Sequence, residues 1–264
     1  MSKPTTELLK KVPEGLVVSR SKLLEMGFDK PAIDYFLRSG KLVSLTRGVY
    51  RRPGPPLKWE HLVYSVKQHG YQVHVGARSA LDLSGFAHFL PLGGNNTPIH
   101  LYCQKKLPNW LTTSSEKAKI HPHRFKLFRN VPQYAITEHQ IGHWDWTIEY
   151  ASPELALLEL VDDIRDETDF TVADKYFESA TTLRPKVLNS LLSSCTVVQA
   201  KRLFLWFAKR HEHPWYASLN MTDIHLGSGK RMVIQGGSLD KDFQITVPKK
   251  MTARTTDGSQ PNFF

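Results

Sequence analysis

Cysteine is nearly missing from this chain of 264 residues, which has only Cys103 and Cys195, far apart. Two such residues are too few for a disulfide framework or a zinc finger, and a reducing compartment is expected. Long apolar runs are missing as well. Neither the opening MSKPTTELLKK nor any later stretch approaches the roughly 18 uninterrupted apolar residues of a membrane span. A cytoplasmic protein with no membrane partner is therefore expected. Acidic residues are in deficit, 25 Asp and Glu against 35 Lys and Arg. The resulting charge of +10 favours an anionic partner. With 41% hydrophobic and 23% charged residues, the composition excludes a disordered or fibrous chain. The length exceeds the usual domain of about 100 to 150 residues, so two or three folded units are expected.

The stretch from Val17 to Arg52 is the most strongly punctuated. Ser19 stands where a helix N-cap belongs, Leu23 and Leu24 follow, and Gly27 ends that short helix. Asp29 caps a second helix with Pro31 in its first turn, and Gly40 stops it. Ile33, Phe36 and Leu37 fall at i, i+3 and i+4, which makes them the inner stripe and turns Lys30, Asp34, Tyr35 and Arg38 outward. Beyond Gly40, apolar residues flank Thr46, Arg47 and Gly48 as two brief strands around a hairpin turn. Two helices and a basic hairpin describe a winged helix–turn–helix, with Pro4 to Val12 as the helix that completes its core.

The major groove admits one helix whose outward side chains meet base edges, while nearby cations hold phosphates. On that logic the candidate DNA-binding residues are Arg20, Lys22, Lys30, Asp34, Tyr35, Arg38, Lys41, Arg47, Arg51 and Arg52. From Met1 to Gly54 eleven Lys and Arg face five Asp and Glu, about +6 for a small module. A solvated basic surface on a packing domain is the plainer alternative.

Three prolines and a glycine between Pro53 and Pro56 mark a linker, giving residues 1–54 as the DNA-binding domain and 55–250 as a larger second domain. Helical spacing from Trp59 to His69, alternation from Tyr71 to Val75, a helix in GARSALDLSGF, and strands at Ile99–Tyr102 and WTIEY predict a mixed α/β part over 57–150. Gly93 to Asn96 reads as a loop. Between Lys105 and Arg129 seven Lys or Arg alternate with Trp110, His121, His123 and Phe125, a pattern that fits a nucleic-acid contact or a solvated basic edge. From Ser152 the chain reads as mainly helical to 213. Leu157, Leu160, Val161 and Ile164 are its first inner stripe, with Glu159, Asp162 and Asp163 outward. Helices are expected over Val172–Thr181, Pro185–Ser193 and Val197–Arg210, and in the Trp215 segment. Strand-like runs at Asp223–Leu226, Arg231–Ile234 and Phe243–Val247 form a β-hairpin region over 222–248. A polar tail occupies 251–264. The fold class is α+β.

Other chemistries find less support. Asp162, Asp163, Asp166 and Glu167 are dense enough for a metal nuclease, yet i, i+4 carboxylates equally describe a solvated helix face. His121-Pro-His123 and His211-Glu-His213 lack the spacing and the cysteine support of a metal centre, so no metal or other cofactor is expected. GSGKR at Gly227–Arg231 lacks the spacing of a phosphate loop. Ser79 and Cys103 have no recognisable base beside them. No catalytic residue is named and no enzyme is expected.

Taken in order, LTRGVYRRPG, GARSALDLSGF, SPELALLELVDD and LGSGKRMVIQGGSLDKDFQITVPK resemble the AbiEi family of antitoxins. The resemblance implies a type IV toxin–antitoxin system whose partner is an AbiEii-type nucleotidyltransferase toxin. It implies autorepression, the winged helix binding inverted repeats at the operon's own promoter. It also implies a larger antitoxin domain that opposes toxicity without needing a stable complex. The chain would be a monomer that pairs on DNA, or a weak dimer. Two alternatives stand beside it: a module that docks and neutralises the toxin directly, and an RNA-binding protein that shields the toxin's substrate.

Overall fold

The computed structural model describes residues 4–86, 98–113, 119–141 and 145–252. The Gly93–Asn96 loop and most of the polar tail lie outside the described residues. The fold is α+β, and the chain forms two compact units. The first takes in the described residues of Met1–Ser79, Pro91–Phe125 and Ile136–Tyr150, and the second those of Ala80–Leu90, Lys126–Ala135 and Ala151–Phe264.

The first unit begins as a winged helix–turn–helix. Helix α1 (Pro4–Lys11) leads into strand β1 (Val17–Ser19), then helices α2 (Arg20–Glu25) and α3 (Lys30–Arg38), then strands β2 (Val43–Thr46) and β3 (Val49–Arg51). The caps are where the sequence puts them. Ser19 Oγ accepts from the Lys22 amide at 3.1 Å, and Asp29 Oδ1 accepts from the Ala32 amide at 2.8 Å. Gly40 ends α3 at φ +70° and Gly48 turns the wing at φ +76°, a region where a Cβ is strained. Strand β1 is not legible in the sequence, yet it pairs antiparallel with β3, which becomes the centre of a three-stranded sheet.

The same unit continues through helix α4 (Trp59–Gln68), strand β4 (Val73–Val75), the start of helix α5 (Ala77–Leu83), strand β5 (Ile99–Cys103), helix α6 (Asn109–Thr113) and strands β6 (Ile120–Arg124), β7 (Ile136–Ile141) and β8 (Trp146–Ala151). These strands form one mixed sheet in the order β6-β5-β4-β8-β7. Strand β4 runs antiparallel to β5 and parallel to β8, and β5 runs parallel to β6. The winged helix is built into this unit. Trp146 of β8 lies in one buried cluster with Leu8, Val18, Ile33, Phe36 and Tyr50, and its ring stacks on Tyr64 at 4.1 Å. Val17 and Val49 join the cluster under the large sheet. The Pro53–Pro56 segment therefore runs within a single compact unit.

The second unit is mainly helical: α7 (Pro153–Asp162), α8 (Glu167–Ser179), α9 (Pro185–Ser194) and α10 (Val198–Arg210), followed by 3-10 turns and the strand pair β9 (Ser238–Asp240) and β10 (Ile245–Val247). Helix α7 departs from the one-sided stripe. It is buried around its whole circumference, and Glu159, placed outward by periodicity, is buried completely. Helix α8 starts earlier than periodicity suggested, because Asp166 caps it by accepting from the Asp169 amide. Trp215 lies in a 3-10 turn, and Asp223–Leu226 is not a strand. The partner of β10 is instead Ser238–Asp240, in what reads as a turn.

Arg202 shapes the end of this unit. Its buried guanidinium donates to the carbonyls of Leu226 (2.8 Å), Gly227 (3.1 Å), Gly229 (2.6 Å) and Gln244 (3.3 Å). The GSGK loop is thereby wrapped around one cation. Burial lowers the pKa of Arg202, with Arg231 acting in the same direction.

Candidate nucleic-acid interface

Helix α3 is anchored by one face and bare on the other. Ile33 and Phe36 are fully buried, Phe36 meeting Phe28 edge-on at 5.6 Å. Across the helix, Lys30, Tyr35 and Arg38 are exposed. The amphipathic spacing thus fixes the helix by its apolar stripe and leaves a polar face of groove-reading chemistry.

The ten candidate residues fall into two classes. The side chains of Lys30, Arg38, Arg47 and Arg52 have no ion-pair or hydrogen-bond partner among the described residues. Their charges are available to an external anion. The others are engaged. Arg20 Nη2 donates to Asp34 Oδ1 at 2.8 Å, tying the start of α2 to the outer face of α3. That bond raises the pKa of Arg20. Lys22 pairs with Glu25 at 3.1 Å one turn along α2. Lys41 donates to Thr5 Oγ1 at 2.6 Å and to Tyr35 Oη at 3.2 Å, its ammonium 4.8 Å from the centre of the Tyr35 ring. This Lys41–Tyr35 contact has no signal in the sequence, since it joins helix and turn through space. Arg51 Nη1 donates to the carbonyls of Arg52, Gly54 and Pro55 at 3.3, 3.2 and 3.2 Å, and so secures the proline segment after the wing.

The basic and aromatic residues between Lys105 and Arg129 separate in space. Trp110 and Phe125 are buried and closed to stacking on bases, whereas Lys105, Lys106, His121, Arg124 and Arg129 are exposed. Lys117 and its neighbours in 114–118 lie outside the described residues.

The remaining motifs have structural partners. His211 Nε2 lies 2.7 Å from Asp174 Oδ1, which also accepts from Arg210 Nε at 2.9 Å. Burial opposes the Asp174 charge, but these bonds hold its pKa below the usual value. His213 is bonded to the Phe177 carbonyl. Ser79 Oγ donates to the Pro98 carbonyl at 3.2 Å and accepts from the His100 amide at 2.9 Å, joining α5 to β5. The Cys195 thiol is pushed up to about 11 by burial. Burial and the neighbouring Asp163 raise the pKa of Asp162. Glu154 reads from the sequence as an acidic residue favourably placed at the start of a helix, but its partner does not. It lies buried at the start of α7 and accepts from Arg184 through N (3.0 Å), Nε (2.9 Å) and Nη2 (2.7 Å).

Residues 96–248 match the family model described as "Transcriptional regulator, AbiEi antitoxin, Type IV TA system". Residues 1–92 match the one described as "Transcriptional regulator, AbiEi antitoxin N-terminal domain". No curated protein matches the sequence. The fold is similar to that in the crystal structure of RV2827C protein from Mycobacterium tuberculosis, with 15% identity, 91% of this chain and 88% of that chain covered, and a TM-score of 0.56.

Proposed function

The chain belongs to the AbiEi antitoxin family, transcriptional regulators of type IV toxin–antitoxin systems, and from that premise we propose that it represses its own operon by sequence-specific DNA binding. Helix α3 enters the major groove at an inverted repeat, Arg38 and Lys30 facing base edges. Arg47 at the tip of the wing and Arg52 beyond it take phosphates. The observation that carries this reading is the pairing state of the cations. Among the described residues, Lys30 and Arg38 on α3 and Arg47 and Arg52 at the wing have no side-chain partners, while Arg20 and Asp34 neutralise one another.

The antitoxin half of the function is directed at a nucleotidyltransferase toxin encoded with it and does not require a stable complex. Neutralisation with separate elution of the two proteins on gel filtration supports this, and co-elution favours direct docking.

Binding to the protein's own upstream DNA against scrambled DNA of equal length, across a salt series, tests the repressor. Cognate binding tighter by about a thousandfold is expected. Equal and steeply salt-dependent binding of both sequences would reduce the charge to an electrostatic footprint and overturn specific readout.

A further inference from the structure

Strand β6 is the edge of the five-stranded sheet, and a cavity of about 390 Å³ opens beside it. Three cations line this cavity: Lys105 and Lys106 from the turn after β5, and Arg124 from the end of β6. Among the described residues, no Asp or Glu lines it. None of the three cations has an ion-pair partner among the described residues. In the same unit Lys67, by contrast, is held between Glu138 at 3.4 Å and Glu149 at 2.6 Å. Uncompensated cations facing one concavity sum their potentials there and are stabilised by an anion that enters it.

The rest of the lining narrows the class of anion. Leu107 and Pro122 contribute apolar wall. His123, also in the lining, is held in place by a 2.9 Å contact between its Nε2 and His100 Nδ1 and by stacking on Tyr102 at 4.7 Å. The Cys103 thiol donates to the Lys105 carbonyl at 2.9 Å. Burial raises its pKa, so the sulfur adds no negative charge to the cavity.

We propose that this cavity binds a phosphorylated small molecule of nucleotide size, its phosphates on Lys105, Lys106 and Arg124 and its ring against Leu107 and Pro122. The volume lies within the roughly 300 to 1,000 Å³ of small-molecule pockets. A duplex backbone carries the same phosphate chemistry but presents it on a convex surface. It would touch the outer cations and leave the apolar wall uncovered.

Calorimetric titration of the full chain at about 0.15 M salt, with ATP, ADP and inorganic pyrophosphate as probes, tests the site. Saturable one-to-one binding of ATP or ADP, tighter than that of pyrophosphate, is expected. Lys106→Gln and Arg124→Gln should each weaken it tenfold or more, while Arg38→Ala leaves it unchanged. Both Gln variants alter exposed side chains, and unchanged thermal unfolding checks that they fold. The affinity of Arg124→Gln for random duplex DNA should equal that of the unaltered protein. Absence of saturable binding by all three probes overturns the site. So does binding that the two Gln variants leave intact, or pyrophosphate binding as tight as ATP. A loss of duplex affinity in Arg124→Gln without any nucleotide binding assigns the cations to DNA instead.

Discussion

Single side chains divide here by whether their charge is already spent. Arg38 is exposed on α3 and has no protein partner among the described residues. Arg38→Ala should lower cognate affinity by about 1 to 3 kcal/mol and relax the preference for cognate over scrambled DNA. Arg47→Ala and Arg52→Ala should weaken both sequences alike and each reduce the salt slope by about one. Arg51 is occupied by three carbonyls, so Arg51→Ala should change the slope less than Arg52→Ala does. Competition titrations at several salt concentrations measure all of these. Glu154 carries a pH signature. Burial opposes its charge, but the Arg184 bonds outweigh that and hold its pKa below the ordinary 4.5. A carboxylate with a depressed folded pKa contributes stability above its unfolded pKa and loses it as pH falls through the folded value. Unfolding free energy should therefore decline below about pH 4.5, and Glu154→Gln should flatten that decline. Because the Arg184 side chain is half solvated, Glu154→Ala should cost about 1 to 3 kcal/mol at pH 7, below the figure for a fully buried pair. Neither the burial of Glu154 nor that of Glu159 is legible in the sequence. Periodicity assigns carboxylates to a solvent face, and α7 has none.

Elements were most legible where their ends are written in side-chain chemistry. Ser19, Asp29, Pro31, Gly40 and Gly48 act locally, through caps and turns that need no distant partner, and α2 and α3 with the wing follow from them. Asp29→Ala removes the bond to the Ala32 amide and should cost about 0.5 to 2 kcal/mol. Gly40→Ala meets no steric neighbour, so its cost is confined to the positive φ, about 1 kcal/mol or more. Chemical denaturation of both variants measures this, with the slope against denaturant unchanged. Short strands were the least legible. Strand β1 has three residues and no room for a period of two. Strand β7, reading ITEHQI, is polar because it lies at a sheet edge. Strand β9 is defined only by its register with β10, in which Asp240 faces Ile245 and Ser238 faces Val247. Such elements are set by their partners and leave no local pattern to read.

At the scale of the molecule, composition and charge gave the class, and the order of the motifs gave the family. The packing of the winged helix with the sheet was not legible, because Trp146 joins the cluster of Leu8 and Ile33 only after a long excursion of chain. Trp146→Ala should cost about 3 to 5 kcal/mol, as for a large aromatic deleted from a core. A fragment of residues 1–54, which lacks Trp146 altogether, should melt without a cooperative transition when followed by circular dichroism. A cooperative melt of that fragment would show that the small core suffices alone. The interleaving also governs synthesis. Residues that complete the first unit extend to Tyr150, and ribosomes add about 5 to 20 residues per second. The surface proposed to read DNA therefore matures only about 8 to 30 s after initiation, and a nascent chain stopped before Trp146 presents α3 without the core that stiffens it.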